Sequence, residues 1–396
     1  AAVIIAAGAK SSRALGLPGE RGPRVYGGVD LLRAVSVGEA MDIGREVVVI
    51  GGGNVAYDVA RTVLRQIAYD TARIAARLPG TGRVHLVSLE TLEEMPADTV
   101  EILEGDEEGI VRRNGMGPLE VVRDANGAVT GVLFRQCRRV YDDQKRFSPV
   151  YDDSVHETIP CDTVLLSVGQ SPNLAFLSEG GQDIEQMRPG WPRVDKNTLA
   201  TTASGVFVAG DLAHGTRLLI EAVASGKAAA RSVYRHLTGC AIAAEATTAH
   251  MPLPMYRRER GYEAIRRVPV PSCEPEARLK HPETPVELGY TREDAMIEAS
   301  RCLDCGVTPV FDGSRCVLCG GCADVCPTQC LKLVSLEDLA PAPDLDAAAG
   351  GLDRANNSAI LKDEDRCIRC ALCATRCPAD AITMERVSFT TQWRKA

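Results

Sequence analysis

EVVVIGGGNVAYDVARTVLRQIA, residues 46–68, changes its hydrophobic period at three consecutive glycines. Before them, Val47 to Ile50 form a continuous β-branched run, the pattern of a buried strand. After them, apolar residues recur every three or four positions, the pattern of an amphipathic helix. RVHLVSLE, 83–90, reads as a second strand, so the order is strand, helix, strand. Such a βαβ unit belongs to an α/β fold. Gly51-x-Gly53-x-x-Ala56 follows the first strand directly and opens the helix. Glycines there permit a tight turn and close approach of backbone to a pyrophosphate, whose charge meets the helix N-terminus. Gly51, Gly53, Asn54 and Ala56 are therefore expected to contact a dinucleotide. A lone motif of this type also occurs at ordinary strand-turn-helix junctions, and the flanking strands favour the nucleotide.

The end of the second strand selects the dinucleotide, because a carboxylate there accepts from ribose hydroxyls and repels a 2'-phosphate. Here it ends Ser88-Leu89-Glu90, which makes Glu90 the expected ribose ligand and NAD(H) the expected nucleotide, with NADP disfavoured. The plainer alternative is a solvated strand-end acid. An insertion between helix and strand, residues 68–82, loosens the register.

Outward from this unit, residues 1–40 hold one apolar strand and a turn-rich stretch, LGLPGERGPRVYGG, too little for a domain. LEVVRDANGAVTGVLFRQCRRV has a turn at Asn126-Gly127 between alternating runs and reads as a hairpin. CDTVLLSVGQ, 161–170, and GVFVAGD, 205–211, read as buried strands, and LLIEAVASGKAAARSVYRHL, 218–237, as a helix. From 241 to 290 the composition shifts to Pro, Arg and Glu, as in a linker that wraps a surface. Thr291-Arg-Glu-Asp294 then offers a capping box to a helix ending near Cys302.

With 396 residues, 45% of them apolar, the chain can build two or three domains. A formal charge of -8 argues against a nucleic-acid partner. No window approaches the roughly 20 apolar residues that span a bilayer. AAVIIAAGA at the start lacks the basic leader and cleavage region of a signal peptide and reads as a strand. Fifteen cysteines crowd toward the last hundred residues of a long chain, unlike a secreted disulfide scaffold, so a reducing cytoplasm is expected.

Eight of them form RCVLCGGCADVCP, 315–327, and RCIRCALCATRCP, 366–378. Both read C-x2-C-x2-C-x3-C-P, the spacing of a two-cluster bacterial ferredoxin, in which the fourth cysteine of each motif serves the other cluster. The expected ligand sets of the two [4Fe-4S] clusters are thus Cys316, Cys319, Cys322 and Cys377, and Cys367, Cys370, Cys373 and Cys326. Four-cysteine zinc sites also use C-x2-C pairs, but zinc does not call for this triple spacing twice. Cys330 is either an extra ligand or a buried thiol. The spacer PAPDLDAAAGGLDRANNS, 341–358, reads as a mobile insertion.

IIAAGA, VIGGGNVAYDVARTVLR, LEEMPAD, LLSVGQSPN, GVFVAGD and IEAVASGKAAA, in that order, resemble the flavoprotein family of the glutamate synthase small subunit, over nearly all of 1–240. The resemblance implies an NAD domain inserted in a split FAD domain. Its FAD residues here would be Gly8, Gly210 and Asp211, with Leu219 and Ile220 at the start of a helix able to stabilise negative charge on a reduced flavin. In that family the first FAD strand and its own GxGxxG lie upstream of the strand matching residues 3–8, so an N-terminal truncation is expected. NADP-using members carry paired arginines where this chain has Leu89 and Glu90. EASRCLDCG resembles a segment where the family joins iron-sulfur domains, so Cys302 and Cys305 are possible extra ligands of a third site.

The expected fold is an α/β two-dinucleotide-binding-domain flavoprotein with a C-terminal α+β bacterial-ferredoxin-like domain. Its parts are a partial FAD domain, 1–43; an NAD(P) domain with a β-hairpin, 44–160; the second part of the FAD domain, 161–240; a linker and capping helix, 241–300; and the ferredoxin-like domain, 301–396. The expected function is electron transfer between NAD(H) and a ferredoxin or partner subunit. The resemblance points first to the catalytic subunits of an anaerobic 2-oxoacid oxidoreductase. A glutamate synthase-like or electron-bifurcating complex, or a non-catalytic wiring subunit, are the alternatives. Cofactors carry the hydride and electrons, so no catalytic side chain is expected, and His85, His156 and His214 read as packing or surface residues.

Overall fold

The strand Glu46–Ile50 forms as the sequence predicts, with Val47, Val48 and Val49 wholly buried. The computed structural model describes all residues except 75–81, 179–183, 189, 259–263, 281–283, 303, 341, 343–344, 346, 348 and 396. In it this strand occupies the middle of a five-stranded parallel sheet, ordered Val25–Gly27, Thr163–Leu166, Glu46–Ile50, Arg83–Val87, Val111–Arg113. Successive side chains of a strand point to opposite faces. Val47 and Val49 accordingly pack under the helix Asn54–Ile74 with Ala56, Tyr57 and Val59. Val48 and Ile50 pack the other way, against Val121, Val132 and Phe134 of an antiparallel sheet. Full burial of each such valine contributes about 1.5–3 kcal/mol, which is why a strand covered on both faces is apolar without alternation.

The antiparallel sheet is the expected hairpin enlarged. Met116–Arg123 and Val129–Tyr141 pair across a turn in which Asp124 accepts from the N–H groups of Asn126 and Ala128, and Gly127 takes a φ of 82°. A third strand, Phe147–Pro160, which its polar sequence did not announce, pairs with Val129–Tyr141.

Three placements correct the sequence reading. Thr163–Leu166, from CDTVLLSVGQ, was expected in the second part of the FAD domain. It lies instead between Val25–Gly27 and Glu46–Ile50, within the sheet that carries the glycine turn. Val25–Gly27, expected in the 1–43 FAD piece, is the edge of the same sheet. Hydrophobic pattern marks a strand as buried but does not say which sheet it joins. The supposed linker is also divided: Ser272–Leu288 belongs with the first compact unit, Ala1–Ile242, and the rest with the second, Ala243–Pro271 and Gly289–Ala396. Ile242–Pro252, in its opening stretch, is a strand.

A separate parallel pair, Val3–Ile5 with Val206–Val208, completes the first unit's parallel strands, in register Val3 to Val206. It leads to Gly210, a short helix Asp211–His214 and the long helix Leu219–Thr238.

In the second unit, Val307–Phe311 pairs antiparallel with Ile382–Lys395, and Leu331–Ser335 with Ser358–Lys362. Ile242–Pro252 flanks Ile382–Lys395 on its other side. The core of this unit is largely thiol: Cys322, Cys330, Cys367 and Cys373 are buried with Leu331 and Ile382. The helix Arg292–Ser300 starts where expected, with the Thr291 hydroxyl accepting from Asp294 N–H at 3.1 Å. Parts of the expected insertions at 68–82 and 341–358 lie outside the described residues. Among the described residues, no helix is long and apolar enough to cross a membrane.

Candidate functional site

The glycine turn is dictated by its surroundings. Gly51 has a φ of 152°, and a Cβ there would stand 2.4 Å from the carbonyl oxygen of Ser167. Its N–H donates to Val87 O at 2.9 Å, tying the turn to the neighbouring strand. Ala56 is fully buried, small enough to let the helix sit on the sheet. At Gly53 a Cβ would meet nothing within 4 Å. The protein itself does not demand glycine at that point, and the open side suits close approach of a pyrophosphate. Asn54 opens the helix, its Oδ1 accepting from Asp98 N–H at 2.7 Å.

Glu90 stands against this turn: a Cβ on Gly52 would lie 2.6 Å from its Oε2. The carboxylate is thereby held beside the glycine loop, where a ribose would lie. The strand end is locked by Asn114, whose Nδ2 donates to Ser88 Oγ at 3.0 Å and to Glu90 O at 3.1 Å. Sequence reasoning missed Asn114, since nothing in its own segment marks it. Beside it opens a cleft of about 380 Å³ lined by Arg112, Arg113, Gln136, His156 and Glu157 among others. Arg112 is tied to Asp106 at 2.7 Å, and Arg113 lies 4.0 Å from Glu157.

Gly8 and Gly210 follow the two strands of the Val3–Ile5 pair, and parallel pairing brings both to its carboxyl edge, where α/β folds bind ligands. Both have positive φ, 68° and 67°. Asp211 follows Gly210, and its carboxylate can accept from a ribityl or ribose hydroxyl. Leu219 and Ile220 are 83% and 68% exposed at the start of the long helix. Gly8, Gly210 and Asp211 thus follow the same end of this strand pair.

The eight motif cysteines line two cavities. Cys316, Cys319, Cys322 and Cys377 line one small cavity. Cys367, Cys370, Cys373 and Cys326 line another, joined by Cys330. Each cavity takes three thiols from one motif and the fourth from the other. Among the described residues, no three His, Cys, Asp or Glu side chains sit closely enough to hold a single metal ion. Four thiols lining one cavity could supply the corners of a cubane, each ligating its own iron. Burial pushes Cys373 up to about 12, so its thiol is protonated at neutral pH until a metal displaces the proton. Cys302 and Cys305 are exposed; Leu303 between them lies outside the described residues. His85, by contrast, is half-buried on the strand Arg83–Val87, and burial lowers its pKa below the ordinary value.

Residues 1–226 match the family model of pyridine nucleotide-disulphide oxidoreductases, and residues 315–381 that of the 4Fe-4S dicluster domain. The chain is 36% identical over 245 residues to the NADP(+)-dependent formate dehydrogenase subunit beta of Moorella thermoacetica, covering 60% of this chain and 32% of that protein. It is 30% identical over 347 residues to the NADPH-Fe(3+) oxidoreductase subunit beta of Geobacter sulfurreducens, covering 77% and 48%. The glutamate synthase [NADPH] small chain of Escherichia coli is 28% identical over 251 residues, covering 60% and 50%, in keeping with the expected kinship. The chain therefore spans about a third to a half of these relatives. A solved point mutant of FprA from Mycobacterium tuberculosis shares the fold, with a TM-score of 0.50 at 21% identity over 60% of this chain and 64% of that one. A nucleotide turn on a parallel sheet, followed by a dicluster unit, is thus the arrangement of a known lineage: the chain belongs to the pyridine nucleotide-disulphide oxidoreductase family and carries a 4Fe-4S dicluster domain.

Proposed function

We propose that this chain passes electrons between NADH and a ferredoxin or partner subunit, through FAD and two [4Fe-4S] clusters. The observation that carries the reading is the pair of four-thiol cavities, each completed by the other motif, on a chain that also bears the glycine turn with Glu90 against it. A flavin supplies the conversion the parts require, since it takes a hydride's two electrons together and gives them up singly. The chain's own residues position these groups. Gly51 and Gly53 admit a pyrophosphate, Glu90 accepts from ribose hydroxyls, Gly210 and Asp211 border the flavin, and the thiols anchor iron.

A second reading, NADPH as the donor, draws support from Arg112 and Arg113 in the cleft beside Asn114 and from the names of the relatives. Glu90 favours NADH, because its carboxylate would face a 2'-phosphate across a short gap whereas the arginines already face Asp106 and Glu157. For the partner, the catalytic subunits of a 2-oxoacid oxidoreductase are our first candidate, and a formate dehydrogenase or glutamate synthase assembly the next.

The test is an anaerobic preparation of the full native protein. A flavin spectrum bleached by NADH faster than by NADPH, with about eight irons per chain, supports the proposal. A protein that binds no flavin would leave only a wiring role, and equal rates with both nucleotides would remove Glu90 as the selector. Co-purification of the native complex identifies the partner.

A further inference from the structure

The two cysteine runs are internal copies, and aligning their thiols pairs every position around one cavity with a counterpart around the other. The backbone obeys this alignment. Leu318 and Arg369 both take left-handed φ values, 53° and 55°; so do Gly320 and Ala371, 74° and 66°, and Gln329 and Asp380, 52° and 47°. Against so close a repeat, side-chain differences stand out, and three run in one direction. Ala379 and Ala381 in the first cavity correspond to Thr328 and Cys330 in the second. Leu318, 44% exposed beside the first cavity's thiols, corresponds to Arg369, which lines the second.

Each replacement puts a donor or a charge toward the second thiol set. Cys330 Sγ lies 3.4 Å from Cys326 Sγ, and Thr328 Oγ1 lies 3.7 Å from it. Once Cys326 is an iron-bound thiolate it can only accept, so both neighbours donate. Both cavities keep the backbone bond at this point, Cys330 N–H to Cys326 Sγ and Ala381 N–H to Cys377 Sγ, each 3.3 Å, which leaves the side chains as the difference. The Arg369 side chain is 12% exposed, and its Nε is buried with no hydrogen-bond partner among the described residues. Its Nη1 donates to the Glu364 and Cys367 carbonyls, and its Nη2 lies 3.5 Å from Glu364 Oε2, on a side chain 59% exposed. Near the first set, Arg376 runs along Gly321, but it is exposed and its charge is screened by water.

Hydrogen bonds to cluster sulfurs and nearby positive charge favour the reduced, more negative form, and so raise its potential. A buried guanidinium acts more strongly than an exposed one. We propose that the two iron-sulfur sites are unequal, the set Cys367, Cys370, Cys373 and Cys326 holding the cluster of higher potential, with Arg369, Cys330 and Thr328 setting the difference. This rests on the two-cluster reading above. One electron shared by the pair then resides on the second cluster; the first is oxidised by one as the second is reduced by one, with no proton or bond exchanged.

The experiment takes the full chain with its clusters, measures iron, and follows a potentiometric titration by electron paramagnetic resonance. Two midpoint potentials are expected. Cys330→Ala and Arg369→Leu should each lower the higher one and leave the lower in place, while Arg369→Lys keeps most of the separation. The triple variant Arg369→Leu, Cys330→Ala, Thr328→Ala writes the first cavity's residues into the second and should bring the two together. The electron's preference for the second site should fall about tenfold or more, a tenfold change being about 59 mV for a one-electron couple. If that variant loses iron, the reciprocal pair Leu318→Arg and Ala381→Cys should raise the lower potential. Coincident potentials in the native chain, variants at Arg369, Cys330 or Thr328 that move the lower potential, or variants that move neither would overturn the inference. An iron content of about four or none would instead overturn the two-cluster reading, before any potential is measured.

Discussion

Replacing Glu108 with glutamine should destabilise the first unit more than any exposed charge change. The Glu108 side chain is 0% exposed, yet its carboxylate meets Arg65 at 2.6 Å, Arg61 at 3.0 Å and Arg278 at 3.3 Å. Breaking a buried pair by removing one partner costs about 3–5 kcal/mol. Here Arg61 keeps Glu101 and Glu104, and Arg278 keeps Glu107, but Arg65 loses the one carboxylate it bonds among the described residues. We therefore expect the low end, about 3 kcal/mol. Urea denaturation of the full chain, followed by far-ultraviolet circular dichroism, should show the midpoint falling by about 1–3 M. The control is Arg33→Ala, which breaks the exposed pair with Glu39 and should cost about 1 kcal/mol or less. The acid dependence is a second arm. Burial alone would raise the pKa of Glu108, but hydrogen bonds from Arg65 and Arg61 outweigh it and hold the carboxyl below its ordinary value of 4.5. A depressed folded value gives stability that is complete above the unfolded pKa and is lost as the pH falls below it. The gap between native and Glu108→Gln protein should thus persist at neutral pH and close below about 4.5. A Glu108→Gln midpoint no lower than that of Arg33→Ala would refute a net contribution from the network.

Leu89→Arg with Glu90→Arg should shift the preference between NADH and NADPH at least about tenfold toward NADPH, about 1.4 kcal/mol in binding; a ratio of kcat/KM that does not move would clear Glu90 of any role in selection. Gly51→Ala should lose dinucleotide binding and stability together, because its Cβ would meet the Ser167 carbonyl at 2.4 Å and backbone cannot yield as a side chain can; unchanged nucleotide affinity by calorimetry would contradict that geometry. Cys377→Ser should remove the same spectroscopic cluster as Cys316→Ser, and Cys326→Ser the same one as Cys367→Ser. Loss of the cluster belonging to the same motif would reverse the assignment.

The turn at Gly51 was legible because it depends on residues a few positions apart, and the thiol triplets because their spacing occurs twice, although the fourth thiol of each cavity comes from the other motif. Thr163–Leu166 was not, because its partners Val25–Gly27 and Glu46–Ile50 lie more than a hundred residues upstream, and an apolar run fits any sheet interior. Arg278 was hidden for the opposite reason. It sits in a Pro, Arg and Glu-rich stretch that reads as solvated, yet it is 1% exposed because Glu107 and Glu108 await it from a distant helix. Composition reports what a segment prefers when alone, and a buried counter-ion overrules it. The enlarged antiparallel sheet escaped for a related cause, since the strand Phe147–Pro160 is mostly exposed and gives little periodic signal.

The exchange of fourth cysteines between motifs makes the dicluster unit indivisible. A cut within residues 327–366 would leave each fragment with three thiols of its own set and one belonging to the other, so neither half could complete a cubane. The spacer in that interval contributes none of the eight thiols. On the proposed ligand sets, Cys326 and Cys377 would act as mutual checks, since each loop of three thiols would complete its cubane only with the fourth thiol of the other.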